Sequence, residues 1–144
     1  MPDRNRTRRA ADNMNARLAA AQSEEDFQSV GHLAREVCIS VAQVVYHSEK
    51  HSTDDDVKPS STDAKPKLSA YVGVELAGQA NVEARRWARA SIGLADALTH
   101  NRSATRRDAS MAVVAVDAIV RIAEILEGET STISVSWEGV EAGG

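Results

Sequence analysis

The feature that most constrains the fold is the run MAVVAVDAIVRIAEIL at residues 111–126, where apolar side chains recur at intervals of three and four residues. This spacing is typical of an amphipathic α-helix. The recurring positions are Met111, Val114, Ala118, Ile122, Ile125 and Leu126, and the stripe is widened by Val113, Val116, Ile119 and Val120. Polar residues are confined to one line, Asp117, Arg121 and Glu124. The pattern predicts a central helix that neighbours cover on most sides.

Similar spacing predicts four helices before this one. The first is short and ends near Ala21; the second begins at a capping box formed by Ser23 and Asp26 and extends to about residue 46 or 47. Asp63 is predicted to cap a third helix that Gly78 ends, and Asn81 a fourth that runs into a turn at 100–105. Thr105 and Asp108 resemble a second capping box, and Gly128 is expected to end the central helix.

Composition favours one domain with closely packed helices. The chain has 144 residues, of which 42% are hydrophobic but only 3% aromatic. A core built mainly from alanine and valine suits helices that approach each other closely. We therefore predict an all-α fold, an up-and-down four-helix bundle over 10–128 with a short N-terminal helix.

Three segments lie outside the predicted bundle. Residues 1–9 are basic and expected to be flexible, and 141–144 are expected to be loose. In 129–140 the alternation of Ile133, Val135 and Trp137 with serines is typical of a β-strand with one buried face. A lone strand has unpaired backbone groups, so we expect it to pair within the chain, with its copy in a homodimer, or with a protein partner through 130–137. The homodimer is the most economical of these.

Charge and cysteine content limit the classes of protein to consider. The net charge is −4, which argues against a general nucleic-acid coat, although the arginines are clustered. Cys38 has no second cysteine with which to form an intrachain disulfide, and no apolar run is long enough for a bilayer. We expect a cytoplasmic protein with no membrane association.

The connection at 48–62, together with His47 just before it, contains the residues that suggest a metal site. His47, Glu49, His51 and three aspartates, Asp54, Asp55 and Asp56, are suitable ligand types for zinc or manganese. A solvated acidic loop is the preferred interpretation, so no metal and no cofactor are predicted. His32, which follows Gly31 within the second helix, is interpreted as a hydrogen-bonded boundary residue.

The strongest polar cluster is the turn before the central helix. It contains His100, Arg102, Arg106 and Arg107, and Arg85 and Arg89 lie on the preceding helix. Guanidinium groups, an imidazole and a helix N-terminus together are suited to binding phosphate oxygens of RNA or a nucleotide. The alternative is that the arginines cap the preceding helix and pair with carboxylates such as Asp96 and Asp108.

The run LADALTHNRSATRRDA, followed by the apolar helix, resembles the final helix pair of HEPN domains, small bacterial helical bundles of toxin–antitoxin and abortive-infection systems. The resemblance is one of layout and extends over most of the chain up to about Gly128. Nuclease members carry an Arg shortly before the His, and here the corresponding positions hold Ala95, Leu94 and Gly93. The resemblance therefore implies the fold and a defence context.

Three functions follow from these observations. The favoured one is a non-enzymatic HEPN-like interaction module of a bacterial or phage defence system, whose basic turn is open to RNA, a nucleotide or an acidic partner. The second is a metal-independent RNase toxin with His100 catalytic, assisted by Arg102 and Arg106, at a site formed across a dimer. The third is a structural assembly protein that uses its C-terminal strand.

Overall fold

Five α-helices make up most of the described chain in this computed structural model, which describes residues 4–52, 58–100 and 104–129. They are α1 (Arg4–Ala20), α2 (Glu24–Val45), α3 (Ala64–Glu75), α4 (Val82–Thr99) and α5 (Arg106–Glu124). A short 3-10 turn at Gln79–Asn81 precedes α4, and a wider turn at Ile125–Glu129 extends α5. The all-helical class is confirmed. The β-strand predicted at 130–137 lies outside the described residues.

Helix α5 is the centre of the fold, because it packs against α1, α2 and α4. The side chains that it buries are Ala109, Ala112, Val113, Ala115, Val116, Ile119, Val120 and Ala123. The prediction that neighbours pack on several sides of this helix is confirmed, but the exposed side was predicted wrongly, because Asp117 and Glu124 of the polar line contact Arg8 of α1. Met111, Val114 and Ile125 are exposed. The predicted stripe was based mainly on larger apolar side chains, whereas the buried alanines allow the closest approach of neighbouring helices.

Helix α2 begins as its sequence predicts. The Ser23 hydroxyl accepts the N–H of Asp26, and the Asp26 carboxylate accepts the N–H of Ser23, so both halves of the capping box are present. The same carboxylate accepts the N–H of Gln22, and these bonds lower the pKa of Asp26. The helix ends at Val45, where Tyr46 adopts an extended conformation.

Helix α1 begins earlier than predicted, and this corrects the boundary at residue 9. Thr7 is buried and its hydroxyl lies 3.1 Å from that of Ser40 on α2. Arg8 donates to both carboxylate oxygens of Glu124 on α5 and lies 3.8 Å from Asp117. The bond to Glu124 raises the pKa of Arg8. Residues 4–9 therefore belong to α1, because the side chains of Thr7 and Arg8 bind partners on α2 and α5.

The start of the connection between α2 and α3 also differs from the expected solvated loop. His51 is only 1% exposed and packs against the rings of Tyr46 and Tyr71, the latter edge-on at 5.2 Å between centroids. Tyr71 in turn donates to Glu127 at 2.9 Å. Among the described residues, no group of three histidine, cysteine or acidic side chains is arranged to hold a metal ion. Asp54, Asp55 and Asp56 lie outside those residues.

The predicted N-caps of α3 and α4, Asp63 and Asn81, make hydrogen bonds elsewhere. The Asp63 carboxylate accepts the N–H of Ser60, and the Asn81 amide donates to the carbonyl of Ala77, so neither side chain caps its own helix. The turn between the helices is fixed by Arg85, which donates to the carbonyls of Leu76 and Gly78. Gly78 has φ +97°, a backbone conformation that favours glycine. None of the helices in the described ranges is both long and apolar enough to cross a membrane.

Candidate functional site

An open cleft of about 390 Å³ separates α2 from the junction of α4 and α5. Its apolar surface is formed by Phe27, Leu98, Ala104, Ala109 and Ala112, and its polar groups come from Gln28, His32, Thr99, His100 and Asp108. Residues from three helices therefore meet here, at the turn that the sequence singled out. We call this hollow the His32–His100 cleft.

His100 is held at the end of α4 by its own helix. Its side chain is 60% exposed, and Nδ1 lies 2.6 Å from the backbone carbonyl of Asp96 and 3.5 Å from the Asp96 carboxylate. A carbonyl can only accept, so Nδ1 carries the proton and donates. In the neutral ring, Nε2 is then an unprotonated nitrogen that can accept a proton or a hydrogen bond from a ligand.

His32 provides a second imidazole on a different wall of the same cleft, from the middle of α2. Gly31 beside it also lines the cleft, and a Cβ built on Gly31 would meet no atom within 4 Å. The glycine is therefore not required by a close helix crossing. Its effect is to leave the cleft wall without a side chain next to the imidazole.

The start of α5 forms the third side. The Thr105 hydroxyl accepts the N–H of Asp108 at 3.1 Å, which confirms Thr105 as the N-cap but supplies only one of the two bonds of the predicted capping box within the described residues; Asp108 lines the cleft. Arg106 lies over the Phe27 ring, 5.0 Å from its centroid, and donates to the carbonyl of Ala21 at 3.1 Å. One guanidinium thus stacks on the cleft wall and ties α5 to the turn between α1 and α2.

The other predicted phosphate ligands do not gather at this cleft. Arg85 binds the α3–α4 turn, about 22 Å along α4 from His100. Arg89 extends towards α3, since a Cβ on Gly73 would lie 2.9 Å from its Nη2. Arg107 is exposed in the first turn of α5, and Arg102 lies outside the described residues. Among the described residues of the predicted set, His100 therefore lines the cleft, and Arg106 is linked to it only through its contact with the Phe27 ring.

Electrostatically, the cleft is mixed. Arg106 and the N-terminus of α5 contribute positive potential, the Asp108 carboxylate contributes negative charge, and the two imidazoles are positive only when protonated.

A smaller hollow of about 110 Å³ adjoins the opposite side of His100, between α2, α3 and α4. It is lined by both charged and apolar residues, among them Arg35, Cys38, Lys65 and Asp96. Burial raises the pKa of the Cys38 thiol to about 12, and the charge of Asp96 acts in the same direction. The thiol is therefore protonated at neutral pH and unsuited to nucleophilic chemistry.

The sequence had predicted only one half of this histidine pair. His32 was interpreted as a boundary residue because nothing local links it to a residue 68 positions away. The one signal available was the Gly31–His32 pair, which interrupts an otherwise regular helix with a side-chain gap next to an imidazole. Comparison of the chain with protein-family models, curated proteins and solved structures gave no match.

Proposed function

We propose that this protein is a small helical binding module that takes a phosphate-bearing ligand, RNA or a nucleotide, in the His32–His100 cleft. The observation that carries the proposal is that two imidazoles, from α2 and α4, line one open cleft beside the N-terminus of α5. Imidazoles and helix N-termini both favour phosphate oxygens. The apolar surface around Phe27 offers room for the sugar or the base.

The proposal keeps the wider context that the resemblance to HEPN domains implies, namely a non-enzymatic interaction module of a bacterial or phage defence system. Its support is the helical layout up to Gly128 and the position of His100 at the helix junction. Arg102 and Arg107 remain proposed phosphate ligands from the same turn.

A metal-independent RNase is the second candidate, and one observation favours it. RNA cleavage without a metal needs one group to remove a proton and another to return one. His100 alone supplies a single group, whereas His32 in the same cleft supplies the second. Under this alternative the two imidazoles act as base and acid, and Arg106 stabilises the phosphorane charge.

Binding is tested with a fluorescently labelled short RNA, with unlabelled mononucleotide as competitor. We expect the parent to bind this RNA, and to bind it less tightly as the salt concentration rises, because salt weakens charged contacts to phosphate. Gly31→Leu should fill the cleft and weaken binding at least about tenfold, the equivalent of about 1.4 kcal/mol. His32→Ala and His100→Ala should each weaken it as well.

The matched control is Arg86→Ala, which removes an exposed arginine paired with Glu83 at the far end of α4. It should bind like the parent. Absence of binding by the parent, or equal binding by Gly31→Leu, contradicts the proposal. Displacement by mononucleotide identifies a nucleotide site, and resistance to it identifies an RNA site.

The two candidates are separated by incubating each protein with total RNA in EDTA. Intact RNA with all variants supports the binding module. Cleavage by the parent that both His32→Ala and His100→Ala abolish establishes the RNase instead.

A further inference from the structure

One surface of the helical fold is strongly apolar and exposed. It combines side chains from α4, α5 and the first residue after α5, which together we call the α4–α5 apolar face: Trp87, Leu94, Met111, Val114 and Ile125. Trp87 is 57% exposed and Val114 67%. Large apolar side chains grouped in this way mark a surface that another segment or molecule covers.

Helical spacing, together with the contacts made by the other flanks of the two helices, indicates that these side chains form one strip. On α4, Arg85 and Asp96 mark the flank that faces α3, because they contact the α3–α4 turn and Lys65. Trp87 and Leu94, seven residues apart, lie on the other flank, towards α5. Along α5, the exposed side chains of Met111, Val114 and Ile125 lie between the side that packs against α4 and the side that binds Arg8 of α1. The strip therefore runs along the α4–α5 seam.

We infer that residues 130–138 of the same chain cover the α4–α5 apolar face as an extended segment. The first argument is reach. Ile125 and Met111, at the two ends of the face on α5, are separated by about 21 Å along the helix. Seven extended residues span about 23 Å, so 130–137 can return along the whole strip. Gly128, with φ +121°, turns the chain out of the helix next to Ile125.

The second argument is chemical complementarity. Ile133, Val135 and Trp137 alternate with serines, so an extended segment presents one apolar edge that matches the strip. The chain after Arg121 contains no lysine or arginine but carries acidic residues, including Glu138 and Glu141. Helical spacing places three exposed arginines beside the face, since Arg107 and Arg121 lie four residues before Met111 and Ile125 and Arg86 directly precedes Trp87. A returning segment brings Trp137 near Leu94 and Glu138 near Arg107 at the start of α5.

The two tryptophans of the chain allow a direct test. In the full-length Trp87→Phe variant, the fluorescence comes from Trp137 alone. We expect a blue-shifted emission and acrylamide quenching severalfold weaker than that of the urea-unfolded protein. Adding Val114→Asp places a charge in the face, and Trp137 should then become as accessible as in the unfolded chain.

The matched control is Val74→Asp, because Val74 is also an exposed valine but lies on α3, away from the face. It should leave Trp137 protected. Circular dichroism of both Asp variants distinguishes an exposed segment from an unfolded protein. An accessible Trp137 in Trp87→Phe, or equal responses to Val114→Asp and Val74→Asp, overturns the inference.

A second copy of the chain is the competing occupant, and dilution separates the two. Protection by the chain's own segment is independent of concentration, and light scattering reports a monomer while Trp137 is protected. Protection that falls together with the mass of a dimer on dilution shows that the face belongs to a second copy, and the inference is then wrong.

Discussion

His51 is the residue whose ionisation is most tightly coupled to folding. The N–H of His47 donates to His51 Nδ1 at 3.0 Å, so the neutral ring carries its proton on Nε2. Within the described residues, that nitrogen is buried and has no hydrogen-bond partner. Protonation would place an N–H on Nδ1 against the N–H of His47. Burial lowers the pKa of His51, although the carboxylates of Glu75 and Glu127 oppose the shift.

Stability should therefore depend on pH through His51. Its pKa is about 6.5 in the unfolded chain and lower in the fold, so the unfolded state binds more protons at acidic pH. We expect the free energy of unfolding to decrease as the pH falls below about 6.5, down to the folded pKa. Urea unfolding between pH 5 and pH 8 measures this.

His51→Leu should flatten this pH dependence, whereas His32→Leu, which removes an exposed histidine from the middle of α2, should preserve it. The same slope in the parent and in His51→Leu would show that other groups control acid stability.

Cys38 gives a second prediction for a single side chain. It is the only cysteine of the chain, it is buried, and its pKa is raised to about 12. At pH 8 its thiolate fraction should be roughly a thousandfold lower than in the unfolded chain. An aromatic disulfide reagent should therefore label it slowly in buffer and rapidly in urea. Fast stoichiometric labelling of the native protein would contradict the burial of this thiol.

The helices themselves show how far local sequence determines structure. The Ser23–Asp26 capping box was predictable because both partners lie within four residues. The start of α1 was not, because Arg8 is fixed by Glu124, 116 residues away. The buried face of α5 was ambiguous for a related reason: valines and isoleucines occur on most of its circumference, and only the positions of α1, α2 and α4 determine which are covered.

Gly31 of α2 lines the His32–His100 cleft, and no close contact between helices requires a glycine at this position. Because a Cβ at Gly31 would meet no atom within 4 Å, Gly31→Ala should raise the free energy of unfolding by about 0.5–1 kcal/mol. Thermal or urea unfolding measures this gain. A loss of stability would reveal a close approach to the Gly31 position that the structure does not contain.

At the scale of the whole molecule, the core depends on small residues at helix contacts. Ala88 and Ala95 of α4 are fully buried, as are Ala109 and Ala112 of α5. Ala88→Leu should therefore overpack the core and cost about 1–3 kcal/mol. Ala97→Leu, on the exposed side of α4, should change stability by less than about 0.5 kcal/mol. Equal effects of the two substitutions on urea unfolding would show that α4 is not closely packed.

The candidate site was predictable only in part, and the reason lies at this same scale. The helix junction was visible from His100 and the Thr105 cap, which are close in sequence. The cleft needs Gly31 and His32 from α2, which only the packing of the helices brings to that junction. Arg85 and Arg89, which the sequence assigned to the same cluster, are drawn instead to the α3 side of α4.

The bond between Arg106 and the carbonyl of Ala21 joins parts of the chain that are 85 residues apart. A ribosome adds about 5–20 residues per second, so the interval between α2 and the start of α5 takes on the order of ten seconds to synthesise. During that time the apolar stripe of α2 has no α5 to cover it. The growing polypeptide should therefore be a substrate for chaperones that bind nascent apolar helices, until its central helix leaves the exit tunnel.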